Sequence, residues 1–208
     1  MAKNVFSQIS QQFGGVELAY LPVKSLITPL ALIDYEYVDT IRPELSGDTA
    51  LSYAKFALPE TINVPVKAAV SPDNRSVLLV SRQKSLVVSG MNVQQTPVGL
   101  EVKFLMASGA AAVTVSKVAN RYYLKNGIHR VYILASLGLT EVPCILVHEN
   151  QYSPSVSAYP AFSPNSLMQA RPPLLCDFFD AKLSVKAPLQ RTTKLIRIAA
   201  EDMIVPAD

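Results

Sequence analysis

Residues 122–147 read YYLKNGIHRVYILASLGLTEVPCILV, and two changes of period inside them decide the fold. Tyr122 to Leu124 close the run AVTVSKVANRYYL, which alternates and is rich in β-branched and aromatic residues. With Ala119-Asn120 as a tight turn it reads as two strands. Asn126-Gly127 breaks that pattern. Val131, Leu134, Ala135 and Gly138 then follow at i, i+3, i+4 and i+7, with Ile133 and Leu137 widening the apolar face. This spacing predicts a short helix that stops at Gly138. Thr140-Glu141 leads into the strand VPCILV. Strands, turn, helix and strand in that order make an α/β unit.

The turn at Gly127 carries the chemistry. Glycine allows close backbone approach, and the first N–H groups of a helix, together with the positive end of its dipole, favour an anion. His129 and Arg130 stand in that first turn. A cation there works against the dipole by about 0.3–1 kcal/mol at an exposed site, so Arg130, and His129 when protonated, break a local rule. A phosphate held between them and the backbone amides would remove the penalty, the guanidinium supplying paired donors. The competing reading gives Arg130 a salt bridge to an acidic neighbour such as Glu141 and His129 a hydrogen-bonded place in the core.

Upstream, residues 16–39 hold two extended runs around Pro22 and Pro29, with Lys24 and Ser25 in the connection. This is an opening strand and turn. INVPVKAAV and SVLLVS, joined at Ser71-Pro72-Asp73-Asn74, form a hairpin, and SLVVS follows. Residues 98–112 are expected to be helical, since Leu100, Leu105, Met106 and Ala110 recur near helical spacing. Downstream, 151–173 contains five prolines and five serines without a helical period. It is expected to run extended around the domain. DFFDAKLSVKAP makes one short element and TTKLIRIAAEDMIV one or two strands.

Half of the 208 residues are apolar and 17% are charged, with 19 basic against 16 acidic side chains for a net charge of +3. A disordered tail needs the opposite balance, and two cysteines are too few for a disulfide-stapled miniprotein. The net charge argues for neither nucleic acid nor an anionic membrane. Charge below the roughly 25% of an average soluble protein leaves uncharged surface, and a subunit or partner contact is where it would be covered. The start lacks an apolar h-region, and the most apolar window, 128–147, is interrupted by His129, Arg130, Glu141 and Pro143, so neither signal peptide nor membrane span is expected. Cys144 and Cys176 read as buried free thiols in a reducing cytoplasm. Two histidines and no CxxC spacing leave a structural metal little to bind, so no metal site is assigned.

Residues 122–147 resemble the signature of the ParB and sulfiredoxin superfamily, in which a strand leads into a G-x-[HR]-R turn, then a helix stopping at glycine, then a strand opening with Val-Pro. LEVKFLMASGAAAVTVSKV, residues 100–118, resembles the helix and strand before the signature, and LAYLPVKSLI, residues 18–27, the opening strand. The resemblance implies an α/β (α+β) fold: a ParB/sulfiredoxin-like mixed sheet with a few helices over residues 1–150, carrying an insertion at about 40–96, with 151–208 as a proline-rich extension packed on it. It implies a nucleotide or other phosphate ligand, CTP or ATP with Mg²⁺, at Asn126, Gly127, His129 and Arg130, with Lys24 and Ser25 as weaker members of the same pocket.

The departures redirect the expected function. Ile128 occupies the place of the sulfiredoxin cysteine, so sulfinic acid repair has no nucleophile, and the proline-rich segment replaces the DNA-binding helix-turn-helix of partition proteins. Hydrolysis or transfer of a phosphate would need an acidic side chain. Glu17, Asp34, Glu36, Asp39, Glu101 and Glu141 are available, and no spacing places one opposite Arg130. The leading expectation is a cytoplasmic nucleotide- or phosphate-binding protein. The alternatives are a non-catalytic protein-interaction subunit, including a homo-oligomer, and a DNA-binding or DNA-cleaving accessory protein of a mobile element or defence system.

Overall fold

In chain order the elements are β1 (Val16–Pro22), β2 (Leu26–Ile27), α1 (Tyr35–Ile41), α2 (Ala50–Ala57), β3 (Val66–Val70), β4 (Ser76–Ser81), β5 (Val87–Thr96), β6 (Gly99–Ala107), β7 (Thr114–Val118), β8 (Arg121–Asn126), α3 (Ile128–Ser136), β9 (Glu141–His148), α4 (Pro164–Met168) and β10 (Lys194–Ala199). Short 3₁₀ turns at Val23–Ser25, Arg42–Glu44 and Leu175–Phe179 complete the inventory. This computed structural model describes residues 15–59, 66–81, 86–107, 112–152, 160–188, 190 and 193–202. The chain is a mixed α+β protein in two compact units: Met1–Ile62 with Ala110–Leu189, and Asn63–Gly109 with Gln190–Asp208. The excursion from the first unit thus spans 63–109, against the 40–96 expected, and the C-terminal residues are shared between the units.

The first unit is built on a five-stranded mixed sheet of order β1-β9-β7-β8-β2. β9 pairs antiparallel with β1 and parallel with β7, β7 pairs antiparallel with β8 through the expected turn, and β8 pairs parallel with β2. Ala119 takes φ 52 in that turn. The uninterrupted apolar run Val142–Val147 is buried throughout, as suits a strand covered on both faces. On one face Val131, Ile133 and Leu134 of α3 pack with Val113, Val115, Leu124, Val142, Cys144 and Leu146. Ile27, Tyr123 and Leu167 form a separate small cluster. The Leu137 and Gly138 amides close α3, with Gly138 at φ +89.

α1 and α2 fall where no helix was expected, and residues 35–39 are helical where the sequence suggested an extended run. Both starts carry the residue that a helix start requires: Asp34 Oδ1 accepts from the Tyr37 amide and Thr49 Oγ1 from the Ser52 amide. Residues 160–162 run along 29–31 through Phe162 N–H to Pro29 O (2.8 Å) and Ala31 N–H to Pro160 O (3.0 Å). Elsewhere in the proline-rich stretch, residues 153–159 lie outside the described residues, and Pro164–Met168 form the short helix α4, capped by Ser163, where an extended run was expected. Among the described residues no helix is long and apolar enough to cross a membrane.

The second unit contains the sheet β10-β4-β3, all antiparallel, and the hairpin β5-β6. The hairpin of β3 and β4 matches the sequence expectation. Where a helix was expected over 98–112, residues 99–107 form strand β6, turned back on β5 at Pro97-Val98, and residues 108–111 lie outside the described residues. Helical spacing arises there only when Val102 and Phe104 are passed over. Leu100, Val102, Phe104 and Met106, with Glu101 and Lys103 between them, alternate with period two.

Candidate functional site

β8 ends at Asn126, and Gly127 turns the chain into α3 as its N-cap at φ 82, ψ 19, with no side-chain cap. The left-handed φ favours glycine, and contact requires it: a Cβ here would lie 2.8 Å from Val113 Cα and 2.9 Å from Val113 Cγ2. Asn126 Nδ2 donates to Ala112 O at 3.4 Å. The turn is therefore packed against residues 112–113, with no gap between the two backbones.

His129 and Arg130 are both buried, at 6% exposure. His129 Nε2 accepts from the Asp34 amide at 3.1 Å, which requires that nitrogen to be unprotonated, and the ring stands edge-on to Tyr37 at 5.0 Å. Arg130 Nη1 donates to Phe56 O at 2.8 Å and Nη2 to Glu44 Oε2 at 2.6 Å, with the guanidinium 4.8 Å over the Phe56 ring. Its carboxylate partner is Glu44, in the Arg42–Glu44 turn, and not the Glu141 considered from sequence. Burial raises the pKa of the neighbouring Tyr37 hydroxyl, with Arg130 opposing and Glu44 adding to the shift.

This geometry accounts for the broken rule. Arg130 lies in the wrong turn for the dipole of α3, but Phe56 belongs to the last turn of α2, whose carbonyls have no partner within the helix. A cation there works with the dipole of α2. Arg130 ties the end of α2 and the α1–α2 connection to the start of α3. As its donors stand, a phosphate at this turn would have to displace the carboxylate of Glu44, a half-exposed side chain, from the guanidinium.

Lys24 and Ser25 are not brought to Gly127. The Val23 amide donates to Thr140 O, beyond the C-terminal end of α3. Leu26 pairs with Tyr122, five residues before Gly127, about 16 Å along a strand. Lys24 is exposed, and Ser25 Oγ donates to Pro22 O at 2.7 Å within its own turn. Of the weighed acids, Asp34 reaches this turn through its amide on His129, Glu36 and Asp39 follow it on α1, and the others are spread. Asp34 caps α1, Glu17 Oε1 is 3.1 Å from His148 Nε2, Glu101 pairs with Lys103, and Glu141 stands opposite Pro22 at the β1 edge. One enclosed polar group escaped sequence reasoning. Lys125 Nζ meets Glu149 Oε1 at 2.6 Å and Ser116 Oγ donates to Glu149 Oε2 at 2.5 Å. No spacing signals it, because β7, β8 and the residue that follows β9 supply one member each. Among the described residues no three His, Cys, Asp or Glu side chains gather to hold a metal.

The other candidate is a surface. Cross-strand partners share a face of an antiparallel pair, and in β5-β6 the pairs Met91–Phe104, Val93–Val102 and Gln95–Leu100 alternate with Asn92–Lys103 and Gln94–Glu101. One face is therefore without charge and apolar apart from Gln95, and the other carries Glu101 and Lys103 together with the exposed Leu105. The apolar face stands in solvent: Met91 is 63% exposed, Val93 52%, Leu100 72%, Val102 46% and Phe104 40%. No protein-family model, curated protein or solved structure matches the chain.

Proposed function

We propose that this protein is a non-catalytic interaction subunit whose contact surface is the apolar face of the β5-β6 hairpin. The observation that carries this reading is the separation of the hairpin into one charged face and one exposed apolar face. A two-stranded hairpin is only marginally stable in water, and an exposed stripe of this size marks a contact that covers it. The commitment of Arg130 to Glu44 and the Phe56 carbonyl supports the same reading, because it assigns the guanidinium a structural role at the turn where a phosphate was expected.

Two measurements on the full chain test it. In an extract of the source cells the protein should migrate in a complex larger than 22.6 kDa, and Val102→Lys should release it. A panel of CTP and ATP with Mg²⁺ should leave the melting temperature unchanged. A nucleotide-dependent rise that Arg130→Lys abolishes would favour the phosphate-binding reading instead, with Glu44 displaced by the ligand.

A further inference from the structure

We infer that the occupant of the hairpin's apolar face is a second copy of this chain, the two hairpins packing face to face about a two-fold axis. This rests on the interaction reading above and names its partner. Two observations and one chemical argument favour a second copy. The stripe of Val88, Met91, Val93, Leu100, Val102 and Phe104, with the neutral Gln95 opposite Leu100, holds no charged side chain, so two stripes meet without like charges opposed, and the charges of the hairpin, Glu101 and Lys103, lie on the other face. The exposed fractions amount to several hundred Å² of apolar surface on one copy, the scale of the largest patches of monomers. Doubled by a second copy, this approaches the lower end of a standard interface, about 1,200 Å² in total.

The chemical argument is one of matching. A face this apolar needs an equally apolar counterpart, which an identical chain supplies by symmetry, and homodimer interfaces are the more apolar class. The result is two stacked two-stranded layers about 10 Å apart, the packing of paired β-sheets. With a net charge of +3, repulsion between copies is weak.

Light scattering and sedimentation equilibrium on the purified full-length protein decide the matter. The expected result is a mass twice 22.6 kDa at micromolar concentration, with Val102→Lys and, separately, Met91→Glu raising the dissociation constant by about 100-fold or more, since each dimer then buries two like charges. Gln94→Lys, on the polar face, should leave the dimer intact. All three positions are on the exposed hairpin, and circular dichroism verifies that each variant is folded. A wild-type protein that remains at the monomer mass overturns the inference, as does a dimer that survives both stripe substitutions. Either result leaves the wider reading to its own test, because a complex in cell extract that Val102→Lys dissolves would then contain a different chain.

Discussion

Arg130 and Gly127 sit three residues apart and do opposite things to the chain: Gly127 lets two backbones touch, and Arg130 ties two helices together. Replacing Gly127 by alanine forces a left-handed φ on an L-residue, about 1–2 kcal/mol, and drives a Cβ into the Val113 backbone, about 1–3 kcal/mol more. Gly138 shares the left-handed φ, but a Cβ there meets nothing within 4 Å. Gly138→Ala should therefore cost about 1 kcal/mol by urea denaturation, and Gly127→Ala about 3 kcal/mol. For the Arg130 tie, Arg130→Met leaves the Phe56 carbonyl without its donor and Glu44 without its cation. A loss of about 2–4 kcal/mol is expected. Glu44→Gln keeps a polar partner on a half-exposed side chain and should lose about 1 kcal/mol. Equal losses from the two would show that Arg130 stabilises through Glu44 alone. Gly127 was legible from Asn-Gly between two periods. The partner of Arg130 was not, since Glu44 lies 86 residues away and nothing local distinguishes it from other carboxylates.

β9 illustrates which elements can be read in advance. Its six consecutive buried residues need no knowledge of their neighbours, and α3 and the β7-β8 hairpin follow from period and turn residues in the same way. β6 was misread because leucine, methionine and alanine suit a helix, and only its pairing with β5 fixes a period of two. α1 and α2 were missed because short helices take their stability from tertiary packing, here the core shared with α3, although Asp34 and Thr49 marked both starts. The burial that makes β9 legible also sets a pH dependence. Burial, with Glu17 adding to it, pushes the Cys144 thiol from 9.0 to about 12. Burial and the Tyr35 hydroxyl push Tyr132 from 10.0 to about 12. In both cases the folded state holds the proton more tightly than the unfolded chain, so their contribution is fully present below pH 9 and is lost as pH rises toward 12. Urea midpoints should be level on this account up to pH 9 and fall beyond it, with a shallower fall in Cys144→Ala. An equal slope in the variant would remove Cys144 from the cause.

At the scale of the whole chain, the insertion leaves and re-enters the first unit at adjacent points. The Val113 amide donates to Ala57 O at 2.8 Å, so the chain before the excursion and the chain after it are already hydrogen-bonded to each other. An insertion was legible as a gap between the resembling pieces at 18–27 and 100–147. Its boundaries were not, because the pairing of β10 with β4 joins residues about 120 positions apart and draws the end of the chain into the second unit. Because the exit and re-entry meet, residues 15–59 joined to 112–188 by four glycine and serine residues should fold alone. Closure entropy grows only slowly with loop length, so the shorter connection adds no penalty, and the buried residues around α3 and β9 are all retained. The shortened chain should show a cooperative urea transition with a midpoint close to that of the parent, and Gly127→Ala should shift it as far as it shifts the parent. A non-cooperative transition would mean that the second unit supplies stability to the first. If the hairpin is the contact between copies, the same shortened chain is a monomer at concentrations where the full chain is a dimer, so one sample tests the independence of the first unit and the location of the interface.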